Sequence, residues 1–406
     1  MKKPTRQLLK YSFVFIGVCA LLGVGFILGR VDLYRNITES LQNKYTLTGD
    51  LKSQYKSVDV NILWETWSKL ESEYINSNID KQNMVYGAVK GMIGSLNDPY
   101  TNFLTPQDTI EYEKSNKGIY EGIGATLRQE GSYVAIETVL DGSPAQKAEL
   151  KANDVILEVD KNSMENKTVF EVVALIRGTE GTTVELKIWR ESTLKEFSVS
   201  IIRAQIIVDN IEFEKLDSNV GMLTIHKFTE EDVNSFNQLW DTVVKEIQDS
   251  NVKKLIVDLR NNPGGYVASV EYMLGDFIPK NSVIFIEENK GGLKVEHKVE
   301  RTGRFLDIPI VVLVNEGSAS ASEIFAGAIQ DYSRGQIIGA KTVGKGVEQK
   351  VLSLSDGSIL QVVFQKWLTP KGRNISKTEP ITPDVIEEDS TKQEAKALEL
   401  LNNLNN

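Results

Sequence analysis

The stretch IPIVVLVNEGSASASEIFAGAIQD, residues 308–331, passes from an apolar run through a turn of small residues into a helical pattern. The apolar run predicts a buried strand over Ile310–Val314, and the spacing that follows predicts a helix over Ala321–Tyr332. A strand that turns sharply into a helix presents a side chain at the rim of the sheet. The helix N-terminus also supplies free N–H groups and a positive dipole end there. Ser320 lies in this turn and is the first candidate for a catalytic residue.

Two interpretations of Ser320 remain open from the residues alone. Ser320 and Glu323 fit the S-x-x-E pattern of a capping box, in which the serine only closes the start of the helix. Alternatively, Ser320 is a nucleophile, and the backbone N–H of Ala321 is the natural first donor to an oxyanion. The second interpretation requires a base elsewhere in the chain.

The same strand–turn–helix pattern occurs in LIVDLRNNPGGYVASV, residues 255–270. Gly264 and Gly265 let the backbone approach a ligand closely, so an amide of this turn can supply a second oxyanion donor; a plain left-handed turn is the alternative. Strands and helices alternate from residue 205 onward, which predicts an α/β fold with a mostly parallel sheet. The other predicted elements are the strands Val220–Ile225 and Lys254–Leu259 and the helices Glu230–Asp249 and Val267–Phe277.

Lys345, in GAKTVGKGVEQ, is the candidate base, because the histidines His226 and His297 lie in no motif. A lysine held between glycines and buried beside a serine can lose its charge, since desolvation lowers the pKa of an ammonium. The neutral amine can then accept the seryl proton. The same loop is similar to the start of a phosphate-binding loop. However, Gly346 replaces the residue that binds magnesium, and strands follow instead of a helix, so we exclude a nucleotide site.

Composition excludes several classes of function. The 406 residues predict two or three globular units, and the single Cys19 excludes an intrachain disulfide and a thiolate zinc cluster. Two histidines are too few for a multi-histidine metal site, so we expect no metal or other cofactor. Residues 1–30 carry five of the 46 basic residues and no acid, which leaves 41 basic against 56 acidic residues in the rest. This acidic body argues against nucleic acid as a partner.

The stretch from Tyr11 to Gly29 is 19 residues long and has no charged residue. At about 1.5 Å per residue, a helix of this length spans roughly 28 Å, close to the thickness of a bilayer core. Four basic residues precede it, so we predict a single-pass transmembrane anchor over residues 11–29, with residues 1–10 cytoplasmic and the catalytic part extracellular or periplasmic. A cleavable signal peptide is the alternative, although the stretch has no good Ala-x-Ala site.

The rest of the chain divides into five predicted segments. They are a polar helical stalk, a helical region interrupted at Asn97-Asp98-Pro99, a compact domain of short strands, the region of alternating strands and helices, and an amphipathic helical tail. The tail either packs on the core or forms a homodimer contact. These segments cover residues 30–57, 58–117, 118–204, 205–387 and 388–406.

The motifs of this chain, taken in order, resemble those of the carboxyl-terminal processing proteases, tail-specific serine peptidases with an embedded PDZ domain. The resemblance runs from about Val58 to Glu387. The motifs that carry it are YGAVKGMIGSLNDPYTNFL (86–104), YEGIGATL (120–127), DGSPAQKAELKANDVILEVD (141–160), DLRNNPGG (258–265), NEGSASASEIFAGAIQD (315–331), TVGKGVEQ (342–349) and ITPDV (381–385).

The resemblance implies a serine endopeptidase with a crotonase-like, βα-repeat protease core and an inserted PDZ domain of β-sandwich or barrel type. It implies that Ser320 is the nucleophile, that Lys345 is the general base, and that Gln349 orients the lysine from the same face of a strand. Asp331 lies about 16 Å along the helix from Ser320, too far for direct contact, and is interpreted as structural. Glu348 stands where we expect an apolar residue and should face away from Gln349.

The PDZ unit implies that polypeptide substrates are captured by free, apolar C-termini. Such domains add an extended peptide to a sheet edge and hold its carboxylate on backbone amides. Gly122, Ile123, Gly124 and Ala125 match this carboxylate loop, and Arg177 is the candidate for coupling PDZ occupancy to the protease. The alternative function is a PDZ-type binding scaffold without catalytic activity, against which the complete serine, lysine and glutamine set argues.

Overall fold

The computed structural model describes residues 60–76, 78–140, 142–216 and 219–403. The predicted cytoplasmic tail, transmembrane anchor and stalk lie outside the described residues. The chain forms two compact units that divide between residues 82 and 83. In the described ranges, no helix is long and apolar enough to cross a bilayer.

Helix α1, Asn61–Glu73, is the main element of the described part of the first unit. Helix α2, Lys81–Gly94, ends before the predicted interruption at Asn97-Asp98-Pro99. The second unit continues with strand β1, Asn102–Leu104, and helix α3, Pro106–Asn116, which begins at a capping box formed by Thr105 and Asp108. The described residues of the helical region predicted before residue 118 thus form three helices and one short strand.

A β-rich lobe, residues 119–207, is joined to the rest of the second unit by a two-stranded antiparallel ribbon. The chain enters the lobe through β2, Ile119–Gly122, and leaves it through β9, Ala204–Ile207. The lobe sheet has the order β3-β4-β5-β7-β8, with β6 beside β5. Its strands and helices are β3 (Ala125–Glu130), β4 (Tyr133–Val139), α4 (Pro144–Lys147), β5 (Val155–Val159), β6 (Asn162–Ser163), α5 (Val169–Ile176), β7 (Thr183–Arg190) and β8 (Lys195–Ile202).

A six-stranded core sheet follows, in the order β10-β11-β12-β15-β16-β19. Strands β11, β12, β15, β16 and β19 pair in parallel and β10 pairs antiparallel with β11, so the predicted mostly parallel sheet is confirmed. Its elements in chain order are β10 (Ile211–Lys215), β11 (Val220–Ile225), α6 (Val233–Ser250), β12 (Lys254–Asp258), α7 (Val267–Leu274), β15 (Ile310–Val314), α8 (Ala321–Asp331), β16 (Gly335–Gly339), β19 (Val385–Ile386) and α9 (Ser390–Asn403).

Helices cover both faces of the core sheet, which explains why every residue of β12 and β15 is buried. Helices α6, α7 and α8 pack on one face around a cluster of aromatic side chains that includes Trp240, Phe277 and Phe325. Helix α9 places Ala397 and Leu401 on the opposite face. Of the two roles predicted for the tail helix, packing on the core is therefore the one observed.

Two predicted helix boundaries were wrong. Helix α6 begins at Val233 rather than Glu230, because the Asp232 side chain accepts a hydrogen bond from the Ser235 N–H and caps the helix there. Helix α7 ends at Leu274, three residues before the predicted Phe277.

A third, five-stranded antiparallel sheet has the order β1-β18-β13-β14, with β17 also beside β18. The sequence predicted strands between Val347 and Val363, and the structure forms them as β17 (Val347–Ser353) and β18 (Ile359–Leu368). The pairing of β1, β13 (Val283–Asn289) and β14 (Lys294–Lys298) was not predicted. This sheet carries the segment that follows Lys345 and so positions part of the site.

Candidate active site

Ser320 lies between β15 and α8 in an unusual backbone conformation, with φ 56° and ψ −113°. A non-glycine residue in this region is strained, and such strain at a strand-to-helix turn is typical of an exposed nucleophile. Ser320 and Glu323 occupy the two positions of a capping box, in which the Glu323 carboxylate accepts a hydrogen bond from the Ser320 backbone N–H at 2.8 Å. The turn therefore places Ser320 at the helix start, where both interpretations drawn from the sequence apply.

The Glu323 carboxylate, fully buried, connects the turn of Ser320 to the loop of Lys345. Its Oε2 accepts hydrogen bonds at 2.8 Å from the backbone N–H groups of both Ser320 and Lys345. Its Oε1 accepts from the Gly344 N–H at 2.7 Å and from the Thr342 hydroxyl at 2.5 Å. Because two backbone nitrogens share one oxygen, they are separated by no more than twice the length of either bond. Ser320 and Lys345 are therefore neighbours in space.

The Lys345 amine donates a hydrogen bond to Gln349 Oε1 at 2.5 Å. Burial lowers the pKa of Lys345, and the charge of Glu323 opposes this effect. The Gln349 amide group in turn donates to the backbone carbonyl of Tyr100. Among the described residues, the recorded hydrogen-bond partner of the Lys345 amine is Gln349 and not Ser320.

The turn of Gly264 and Gly265 packs directly against Ser320. A Cβ on Gly264 would lie 2.8 Å from the Ser320 Cβ and 2.9 Å from the Ala321 nitrogen, so only glycine fits. Gly265 pairs with Phe228, and a Cβ there would lie 2.4 Å from the Phe228 oxygen. The Gly264 N–H already donates to the Asn262 side chain at 2.8 Å. Ala321 N–H, at the first position of α8, and Gly265 N–H have no recorded acceptor among the described residues.

Three residues that support the site were missed or underrated from the sequence. Asn262 is fully buried; its side chain holds the Gly264 N–H, and its backbone oxygen accepts from Ala319 N–H at 3.0 Å. Tyr100 and Thr342 contact Gln349 and Glu323, respectively. The asparagine of NNPGG was the available signal for Asn262, but its partners are distant in sequence.

Asp331 accepts hydrogen bonds from the Lys371 N–H at 2.8 Å and from the Arg373 guanidinium at 2.6 Å, which fits a structural role. Glu348 accepts from the Gln365 side chain at 3.1 Å and makes none of the contacts of Gln349. Burial, with the nearby Glu287 charge, raises the pKa of Glu348 to about 7.

The predicted carboxylate loop lies between β2 and β3. Gly124 has φ 76°, and a Cβ there would lie 2.4 Å from the Ser143 Cβ. The loop is anchored through its carbonyls, since Ile123 O accepts from the Ala145 N–H at 2.7 Å and Gly124 O accepts from the Leu140 N–H at 3.0 Å. The N–H groups of Ile123 and Gly124 have no recorded acceptor among the described residues. Gly122 belongs to the ribbon, and Ala125 begins β3.

Arg177 caps the C-terminal end of α5 and stacks on the Tyr120 ring, 4.7 Å from its centroid. The Lys227 amine lies 5.6 Å from the same centroid. Lys227 precedes Phe228, which pairs with Gly265. Arg177 is thus placed beside the ribbon, and its contacts in the described part of the chain do not include Ser320 or Lys345.

The described residues contain no cluster of three or more histidine, cysteine or carboxylate side chains arranged to hold a metal ion. His226 lies 3.4 Å from Glu212, and His297 lies 3.1 Å from Glu287.

Three protein-family profiles match the chain. They are Peptidase family S41 over residues 219–386, the PDZ domain over residues 136–190, and the Activating protease CtpB N-terminal domain over residues 22–108.

Curated relatives are similar over most of the chain. A Staphylococcus haemolyticus protein named "Probable CtpA-like serine protease" is 34% identical over 363 residues, 88% of this chain and 70% of the relative. A Staphylococcus aureus protein of the same name is 36% identical over 328 residues, 80% of this chain and 64% of the relative. The chain therefore spans less than two thirds of the second relative's own length.

Two solved structures are similar in fold. The photosystem II D1 C-terminal processing protease has a TM-score of 0.52 and 24% identity, covering 82% of this chain and 94% of its own. A Bacteroides fragilis protein described as an S41 protease has a TM-score of 0.56 and 16% identity, covering 83% and 96%.

Proposed function

The chain belongs to peptidase family S41, the serine-type carboxyl-terminal processing proteases with a PDZ domain, as its sequence predicts, and on this premise we propose that it is a membrane-anchored endopeptidase that cleaves polypeptides with free, apolar C-termini. Ser320 is the nucleophile, Lys345 the general base, and Gln349 the residue that orients the lysine. The observation that carries the proposal is the buried Glu323 carboxylate, which bonds the backbone N–H groups of Ser320 and Lys345 through one oxygen.

The reaction proceeds through an acyl-enzyme. The neutral Lys345 amine takes the proton of the Ser320 hydroxyl while the serine oxygen attacks the scissile carbonyl. The tetrahedral oxyanion is stabilised by the N–H groups of Ala321 and Gly265, because the Gly264 N–H is already used by Asn262. The lysine then gives its proton to the leaving amine, and a water molecule, deprotonated by the same lysine, releases the acyl group.

Burial favours this role of Lys345, since it lowers the pKa of the amine and increases the neutral fraction. The amine must leave Gln349 Oε1, or share its hydrogen bonds, to reach the Ser320 hydroxyl. A rotation about the lysine side chain is sufficient, because the backbones of the two residues are held together by Glu323.

Substrate capture belongs to the β-rich lobe. The loop of Gly122, Ile123, Gly124 and Ala125 offers backbone N–H groups to a terminal carboxylate, and β3 is an edge strand of the lobe sheet. Arg177 lies at the C-terminal end of α5 and stacks on Tyr120 of strand β2, a place suited to transmit peptide binding to the protease.

The anchor over residues 11–29 would keep the catalytic part at the outer face of the cytoplasmic membrane. Fractionation of the full chain tests this part separately, since an anchored protein stays in the pellet after alkaline carbonate extraction. Release into the supernatant would contradict the anchor and leave the catalytic assignment unaffected.

The catalytic assignment is tested with the full chain in detergent and a protein substrate with an apolar C-terminus. We expect Ser320→Ala and Lys345→Ala each to reduce kcat/KM by at least about 1,000-fold. The matched control Lys350→Ala changes an exposed lysine of the same segment and should retain activity. Cleavage by Lys345→Ala would refute the base assignment. A wild-type chain that neither cleaves nor reacts with a fluorophosphonate at Ser320 would support the inactive scaffold instead.

A further inference from the structure

The turn Asn97-Asp98-Pro99, which interrupts the helical region, leads directly into the site. The next residue, Tyr100, accepts a hydrogen bond at its backbone carbonyl from the Gln349 side chain. Its ring faces the Lys345 amine, 5.7 Å from the ring centroid, and its hydroxyl lies 3.4 Å from the Gly344 oxygen. One residue therefore contacts the proposed base, the residue that orients it and the loop that precedes the base.

The turn is itself held rigidly. Asp98 Oδ1 accepts from the Tyr100 N–H at 3.0 Å, and Asp98 Oδ2 accepts from the Thr101 hydroxyl at 2.5 Å. The Thr101 hydroxyl accepts from the Val363 N–H at 3.2 Å, which fastens the turn to β18. The Tyr100 carbonyl is thus fixed against the same sheet whose strand β17 carries Gln349.

An amide side chain can bind in two orientations that exchange its oxygen and nitrogen. Since the carbonyl of Tyr100 accepts only, it binds the Gln349 amino group and leaves the Gln349 oxygen facing Lys345. That oxygen accepts an N–H of the lysine and so sets the direction of the amine. Without the Tyr100 carbonyl, the flipped amide would present its N–H groups to the lysine.

We infer that Tyr100 is a positioning residue: its backbone carbonyl fixes the orientation of Gln349, and its ring covers the Lys345 amine. This inference rests on the proposed function, because it assigns Tyr100 to the same Ser320–Lys345 chemistry. Tyr100 lies in the motif of residues 86–104, but no local pattern indicates this contact, since every residue has a carbonyl and the contact joins positions 249 residues apart.

Two effects of the ring on Lys345 have opposite signs. Its cover excludes water and disfavours the charged amine, whereas its π face attracts the charged amine by about 0.5–1 kcal/mol at a partly exposed site. Desolvation is the largest cause of the lowered pKa of Lys345, so we expect the cover to dominate. The other charged groups around the amine are Glu323 and, on the ring itself, Lys377 at 5.8 Å; Asp98 faces the turn.

The first test compares pH profiles of kcat/KM for Tyr100→Ala, Tyr100→Leu and Tyr100→Phe in the full chain. Removal of the cover in Tyr100→Ala should raise the pKa of Lys345 and move the acid limb to higher pH by about one unit. Leucine restores apolar cover without a π face and should leave the limb near its wild-type position. Phenylalanine removes only the hydroxyl contact and serves as the matched control. An unmoved limb in a folded Tyr100→Ala overturns the role of the ring.

The second test acts on the carbonyl through Asp98. Asp98→Ala removes both side-chain contacts of the turn and should lower kcat by about 10- to 100-fold with little change in KM, because the lysine is misdirected and not lost. Asp98→Asn keeps an acceptor for the Tyr100 N–H and should restore most of kcat. Equal kcat for Asp98→Ala and wild type would overturn the role of the carbonyl.

These results distinguish a failure of the proposed function from a failure of the positioning role of Tyr100. If wild type is inactive, or if Lys345→Ala is active, the proposed function fails. If both behave as proposed while the Tyr100 and Asp98 variants match wild type, only the positioning role fails. If Tyr100→Ala shows no cooperative thermal transition, the Asp98 pair decides the role of the carbonyl. Tyr100→Leu then decides the role of the ring, since an acid limb moved by a full unit in that variant contradicts its apolar cover.

Discussion

At the residue scale, Glu348 is a carboxylate whose surroundings disfavour its charged form. It is half-buried on β17, accepts one hydrogen bond from Gln365, and has one oxygen without a partner among the described residues. Glu287, Glu271 and His297 lie around it on β13, α7 and β14, and the two carboxylates favour its neutral form while His297 opposes them. The sequence analysis expects an apolar residue at position 348, and the partial burial of the Glu348 side chain agrees with that expectation.

We predict that Glu348→Gln stabilises the protein at high pH. The pKa of Glu348 is about 7 in the folded state against an ordinary 4.5, so its favourable contribution is complete below about pH 4.5 and is lost as pH rises through about 7. The neutral glutamine avoids this loss. Denaturant unfolding at about pH 8 should give a gain of about 1–2 kcal/mol, a figure reduced for the partial exposure, and the gain should shrink at about pH 5.

The exposed Glu246→Gln on α6 is the control for that measurement and should show no comparable difference between the two pH values. A gain for Glu348→Gln that is equal at both pH values would contradict the titration of Glu348 as its cause.

At the scale of elements, the site depends on how α8 and the loop before β17 are joined. Glu323 belongs to the first turn of α8 and gathers four donors from two segments that are distant in sequence. A buried carboxylate is costly unless such donors surround it, and here they do. The helix start and the lysine loop therefore form one rigid assembly.

Glu323→Gln should break this assembly. A glutamine has one oxygen where the carboxylate has two, so its amino group would face two of the four donors. We expect a loss of about 3–5 kcal/mol in the free energy of unfolding. In whatever fraction remains folded, we also expect at least about 100-fold lower kcat. Denaturant unfolding and cleavage assays at a temperature below the transition check the two effects separately.

Glu316→Gln is the matched control, since Glu316 is exposed in the same turn. Near wild-type stability of Glu323→Gln would show that the carboxylate does not join the two segments.

The sequence predicted those elements and site residues whose signals lie within a few residues, and it missed those that depend on contacts between distant parts of the chain. The apolar runs of β12 and β15 and the glycines of DLRNNPGG indicated the core sheet and its turns, because both signals lie within a few residues. Ser320, Lys345 and Gln349 were assigned from the order of motifs. The orientation of Gln349 by Tyr100, the use of Gly264 N–H by Asn262 and the sheet around β13 depend on contacts across the fold, which no local pattern encodes.

At the scale of the whole second unit, the β-rich lobe joins the rest of the unit through β2 and β9, which pair from Ile119–Ile207 to Gly122–Ala204. The carboxylate loop follows β2 directly, and Arg177 stacks on Tyr120 of the same strand. In the proposed function, a peptide bound at this loop would therefore act on the segment that connects the lobe to the core.

We predict that Gly124→Ala weakens peptide binding by at least about 10-fold, because its Cβ would lie 2.4 Å from the Ser143 Cβ and would displace the loop. Fluorescence anisotropy with a labelled peptide that ends in apolar residues measures this effect on the full chain. Fluorophosphonate labelling of Ser320 without peptide should be unchanged. Gly131→Ala is the matched control, since Gly131 also has positive φ (59°) but meets no atom within 4 Å. Equal peptide affinity for wild type and Gly124→Ala would contradict the assignment of this loop.

The pairing of β2 with β9 also affects how genetic recombination can alter such a chain. Because Gly122 and Ala204 lie opposite each other on adjacent strands, the two ends of the lobe are separated by about 5 Å, the width of a single hairpin. A recombination event at these positions would exchange the whole lobe for another, or replace it by a two-residue loop, without cutting a strand of the core sheet. Such an exchange would leave Ser320, Lys345 and the strands of the core sheet unchanged.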